Sequence, residues 1–112
     1  MQIIRVYAGN DGESHLEDLT PEQLAEIVDN VGEGGISLGF RAPGWSEGYH
    51  PAPRHQYVLF LEGGAEIEVA SGEKRQFQPG DVLVAEDVTG HGHMFKNLGA
   101  GRRIALAVPL RD

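Results

Sequence analysis

The chain has 112 residues, 17 of them acidic and 9 basic, for a formal net charge of −8, and it contains no cysteine. That length suits one domain and not two, so a single domain over residues 1–112 is expected. Without cysteine there are no disulfides, iron–sulfur clusters, thiolate zinc sites or cysteine nucleophiles, and the acidic excess argues against nucleic acid or an anionic membrane as partner. The longest apolar run, near residues 57–61, is far short of the roughly 20 residues that span a bilayer. The first residues alternate instead of forming a signal-peptide core, so cytoplasmic residence is expected.

Sixteen glycines and six prolines punctuate the chain. Such spacing predicts many short strands joined by turns. Ile3–Ala8 reads as the first strand, and residues 9–18 as a polar loop. One helix follows. Thr20 caps it, Pro21 suits its first position and Gln23 completes a capping box. Leu24, Ile27, Val28 and Val31 recur at helical spacing, and Gly32, Gly34 and Gly35 end it. From residue 36 the pattern is strand. Residues 36–42 form one. Gln56–Glu62 is the most apolar and is predicted to be central and buried on both faces. Gly63-Gly64 predicts a tight hairpin turn. Residues 65–70 alternate apolar and acidic, as in a half-exposed strand. Shorter strands at 75–78 and 82–85 flank the Pro79-Gly80-Asp81 turn. A glycine-rich loop at 89–92 leads to 93–97, and residues 103–110 close the chain. About nine strands and one helix predict an antiparallel sandwich or barrel.

Five histidines, His15, His50, His55, His91 and His93, are the residues best suited to chemistry. Neutral imidazole is the commonest ligand of first-row divalent metals. A barrel interior also brings residues distant in sequence to one point. His55 has the opposite strand parity to Gln56 and should point away from the interior. His91 and His93, two apart, share a face in an extended segment. Gly32-Glu33-Gly34-Gly35 follows a helix, so it reads as a helix stop and not a phosphate cradle. Ser14 and His15 are sequence neighbours, which seldom form a catalytic triad.

Two stretches resemble the motifs of the cupin superfamily. Gly44, His50, Gln56 and Gly63 match its first motif, about residues 44–63. Pro79-Gly80-Asp81-Val82 and His93 through Asn97 match its second, about residues 80–97. The chain departs from the pattern at Ala52, where the family has a second histidine, and at Gln56, where it has glutamate. It is more closely similar to small single-domain bacterial cupins. The stretches that carry this likeness are Gly12-Glu13-Ser14-His15, His50-Pro51-Ala52-Pro53-Arg54-His55-Gln56 and Glu86-Asp87-Val88-Thr89-Gly90-His91-Gly92-His93.

The resemblance implies an all-β, cupin-type jelly-roll β-barrel with one short helix near the N-terminus. It also implies a divalent metal ion (zinc, iron, nickel or manganese) held by His50, Gln56 and His93, with His91 a weaker candidate. Arg54, Glu86 and His15 are candidates for a catalytic role. Arg54 would pair with Glu86 or Asp87, or hold a substrate carboxylate. Trp45 and Tyr49 read as core or rim aromatics.

Two functions follow. One is a metal-dependent enzyme acting on a small organic molecule by isomerase, cyclase, hydrolase or dioxygenase chemistry. The other is a non-catalytic module or sensor that binds a small ligand after losing the full metal site. A homodimer is expected, with Ile3–Ala8 as the apolar edge that pairs two copies.

Overall fold

Alternating apolar residues fold about half of the chain into two β-sheets that face each other. The computed structural model describes residues 1–111. It contains β1 (Ile3–Ala8), β2 (Ser14–Asp18), α1 (Pro21–Val28), β3 (Ser37–Arg41), β4 (Ser46–His50), β5 (Gln56–Glu62), β6 (Gly64–Glu68), β7 (Lys74–Phe77), β8 (Val82–Glu86), β9 (His93–Leu98) and β10 (Arg103–Pro109). One sheet has the order β2-β1-β8-β5-β10-β3, the other β4-β9-β6-β7. Among the described residues no strand belongs to both sheets, so they are facing layers and not one closed ladder.

The layers bury one core. Ile4, Val6, Val58, Phe60, Leu83 and Ala105 of the larger sheet meet Ala65, Ile67 and Phe77 of the smaller. Phe60 and Phe77 stack across this interface, with ring centroids 5.0 Å apart. A second, smaller cluster lies on the outer face of the larger sheet. There Leu24 and Ile27 of α1 pack on Ile3, Val82, Val84, Tyr57 and Leu59. The first part of β5 is thus covered on both faces, as expected of a central strand, but Leu61 near its end is 48% exposed.

The predicted helix forms with its capping box intact. The Gln23 amide donates to the Thr20 hydroxyl, and the Thr20 amide to the Gln23 side chain. It ends at Val28, one turn early, because Val31 forms a β-bridge with Leu110 instead.

Four expectations change. Residues 14–18, read as loop, form β2, because Leu16 reaches the core opposite Val6. Residues 46–50, given no element, form β4 against β9. Gly63, with φ of 74°, does not close a hairpin. It is the corner where the chain leaves one sheet for the other, and a Cβ there would meet the Arg102 carbonyl oxygen at 2.3 Å. Ile3–Ala8 is not an open edge either. It pairs antiparallel with β2 and parallel with β8, so β2 and β3 are the edges of that sheet.

Candidate functional site

A cavity of about 420 Å³ opens between the sheets. Inward-facing residues of β3, β4, β5, β8, β9 and β10 and of the loop before β5 line it, among them His50, His93, Gln56, Arg54 and Arg103.

His50 and His93 are register partners across β4 and β9. Their ring centroids lie 5.0 Å apart, with the planes inclined by 53°. Two local features bring them together. A register shift in β4 between Glu47 and His50 turns His50 onto the inner face. Gly92, with φ of +82°, then lets the preceding loop run against the His50 backbone, where a Cβ would come within 2.0 Å of the His50 carbonyl oxygen.

Both imidazoles are fixed through Nδ1. His50 Nδ1 lies 2.7 Å from the Gly48 carbonyl oxygen. A carbonyl only accepts, so Nδ1 carries the hydrogen and the neutral ring keeps a lone pair on Nε2. His93 Nδ1 lies 2.7 Å from Asp87 Oδ2, with the same consequence. Asp87 is fully buried, and its Oδ2 also accepts from the Ser14 hydroxyl at 2.5 Å. Asp87 Oδ1 has no hydrogen-bond partner among the described residues. Glu47 lies beside the pair, its Oε2 3.7 Å from His50 Nε2.

The other candidates separate. Gln56 reaches the cavity, but its Oε1 accepts from Arg54 Nε at 3.0 Å. Arg54 also donates to the Gly34 and Gly35 carbonyls, not to Glu86 or Asp87 as expected. Glu86 lies off the cavity and pairs with Arg5. His15 is likewise outside, 3.0 Å from Asp11 and packed against Tyr7. His91 points out to Glu13 at 2.9 Å and stacks on Tyr49 at 4.2 Å. His55 borders a separate surface hollow with Pro53 and Leu110. Trp45 lines the cavity, edge-on to Phe95.

The sequence drew no attention to Glu47 or Arg103, showed Ser14 only as a neighbour of His15, and offered Asp87 only as a partner for Arg54. Arg103 is 7% exposed. Burial, together with the nearby Arg41, pushes its pKa down to about 10.

No family model and no curated protein matches the chain. Solved structures do. A Cupin 2 conserved barrel domain protein from Salinispora arenicola is 29% identical with a TM-score of 0.52, over 65% of this chain and 59% of that one. A cupin superfamily protein from Desulfitobacterium hafniense is 28% identical with a TM-score of 0.52, over 74% of each chain. In fold and in sequence the chain is similar to these small cupins. It spans less than two-thirds of the Salinispora protein's length. A protein from Neisseria meningitidis, 12% identical with a TM-score of 0.50, shares the fold alone.

The donors in this cavity suit a divalent ion at two corners. Imidazoles that donate Nδ1–H to a carboxylate or carbonyl and keep Nε2 bare have the usual arrangement of metal-binding histidines. The third corner is weaker. Among the described residues no three His, Cys, Asp or Glu side chains converge on a metal position. The neutral oxygen of Gln56 already faces a guanidinium.

Proposed function

We propose that this chain takes a small organic molecule into the cavity between its sheets, with His50 and His93 as its working centre and a divalent metal as the ion they hold. In this reading the facing sheets are the two halves of a jelly-roll barrel in a cytoplasmic protein. The observation that carries it is the His50–His93 pair: two rings 5.0 Å apart, each tied down by Nδ1 and each with Nε2 bare.

A divalent ion here supplies Lewis-acid polarisation of a carbonyl or enol oxygen. The chain's own residues do the rest. Asp87 and the Gly48 carbonyl hold the two rings in one tautomer and orientation. Ser14 keeps Asp87 in place. Phe95, Val58 and Leu83 supply apolar wall against which a small molecule excludes water.

A second reading, ligand binding without catalysis, is favoured by one observation: the Arg54–Gln56 hydrogen bond occupies the third donor. Metal analysis of protein purified without added metal separates the two. The first reading expects close to one divalent ion per chain, lost in His50→Ala and in His93→Ala, with Gln56→Glu binding more tightly. Metal-free protein that takes up no added divalent ion would favour the second.

A homodimer belongs to the same proposal, with β3 in place of β1 as the shared edge.

A further inference from the structure

The charges of this chain are arranged unevenly. The whole molecule carries a net charge of −8. On its surface Arg5, Lys74, Arg75, Lys96 and Arg102 each sit against a carboxylate. The three arginines that line the cavity do not. Among the described residues, Arg41, Arg54 and Arg103 form no ion pair.

Arg103 is the most exacting of the three. It is more than nine-tenths buried, and its Nε donates to Asn97 Oδ1 at 2.9 Å. Asn97 is itself tied to the Ala42 carbonyl at 2.8 Å, so the guanidinium is held from the side. Its carbon lies 4.4 Å from the Phe95 ring centre and 5.0 Å from that of Trp45. Among the described residues its Nη groups have no acceptor. Arg41 is its register partner on β3, so two like charges stand directly opposite each other on the inner face. Such a pair destabilises a sheet, and burying a guanidinium without a counter-charge is costly. The chain has seventeen acidic residues, and among the described ones none pairs with it.

We propose that the ligand of this cavity is a small carboxylic acid, its carboxylate held by Arg103 and Arg41 and its other end at the His50–His93 pair. The proposal rests on the reading of the cavity as a ligand site and names the class of ligand. A carboxylate is planar and matches the two-pronged edge of a guanidinium. That edge is the part of Arg103 left open when the rings cover its face. The Phe95 ring lies between the two ends, 6.1 Å from His93 and 4.4 Å from Arg103, and offers an apolar surface to the body of the acid. The cavity volume suits a compact acid.

Trp45 is the only tryptophan and lines the cavity beside Arg41 and Arg103, so its fluorescence reports occupancy. The test is a titration of the full chain with benzoate and succinate, with benzamide and succinamide as neutral twins, and with inorganic phosphate. We expect each acid to bind at least about tenfold more tightly than its amide, the scale of one charge-assisted pair. Arg103→Gln and Arg41→Gln should each weaken the acid by a similar factor, and Arg102→Gln, on the surface, should leave it unchanged. Because Arg103→Gln disturbs packing, Arg41→Gln carries a second readout. It should raise the melting temperature of the ligand-free protein by removing the like-charge contact. Amides that bind as tightly as acids would overturn the carboxylate and leave the cavity a ligand site. Phosphate binding more tightly than either acid would replace the carboxylate with a phosphoryl group. No probe binding at millimolar concentration would overturn both the ligand class and the cavity reading.

Discussion

Asp87 shows how one side chain can govern a site it does not line. Its Oδ2 takes two hydrogen bonds, from Ser14 and from His93, in a place water does not reach. The second of these sets which nitrogen of His93 faces the cavity. Its Oδ1 is without a partner among the described residues, so a substitution that keeps the shape and changes that one atom is well defined. Asp87→Asn is expected to fold, because an amide oxygen accepts the same two bonds. It loses the charge that holds the ring, so divalent-ion affinity should fall by about 10- to 100-fold, the usual cost of removing such a supporting carboxylate. Asp87→Ala leaves the Ser14 hydroxyl and His93 Nδ1–H unpaired. It should cost roughly 2–4 kcal/mol in urea-monitored unfolding. Equal metal affinity in wild type and Asp87→Asn would mean that Asp87 only supports the fold. In the sequence Asp87 is one of two adjacent acids, and nothing local marks it as buried. The register of β8 and the loop after it send Glu86 to Arg5 and Asp87 to His93.

At the scale of elements, β3 leaves its apolar residues exposed. It is the last strand of its sheet, with one set of backbone groups unpaired. Ile36, Leu38 and Phe40, on the face turned away from the cavity, are 63%, 51% and 57% exposed. A long apolar edge of this kind pairs with another chain unless something blocks it. A second copy of the same strand satisfies both needs at once, because a two-fold axis places the unpaired edge and the apolar stripe against themselves. Light scattering at tens of micromolar should therefore give a dimer, and Phe40→Lys or Leu38→Lys should give a folded monomer with unchanged circular dichroism. A wild-type monomer would remove β3 from this role. The sequence pointed to Ile3–Ala8 instead, because that segment is apolar and lies near the start of the chain. Its partner on one side, β8, is some eighty residues distant, and local pattern carries no trace of that parallel pairing.

Across the whole molecule, stability should depend on acid in one direction. Arg75 holds the Asp18 carboxyl below its usual range, and Arg102 does the same for Glu62. Gln76, with Lys96, lowers Glu66. A carboxylate whose pKa is lower in the folded state contributes stability that is complete above its unfolded value. These values are 3.8 for aspartate and 4.5 for glutamate. The contribution is lost as pH falls through the folded value. The melting temperature should thus be flat from pH 7 to about 5 and fall below about pH 4. Asp18→Asn should melt slightly lower than wild type at pH 7, with the gap closing in acid. A gap that widens as pH falls would show that the Asp18–Arg75 pair does not act in this way.

By itself the sequence determined what depends on short stretches of chain. It set the class of structure, the helix with its Thr20–Gln23 capping box, the bounds of β5, and the choice of His50 and His93 as residues of interest. These rest on periodicity, on capping chemistry and on motif spacing, each of which spans only a few residues. The tertiary structure decided the rest. Sheet membership made Gly63 a corner and not a hairpin, and pairing on both sides took β1 from the edge. The cavity gathered Arg41 and Arg103 from strands some sixty residues apart, while the same packing turned His15, Glu86 and His91 away from it. The physical reason is common to all of these. Which face a side chain shares, and whether a charge finds a partner, depend on strands brought together from afar, and no local pattern encodes that.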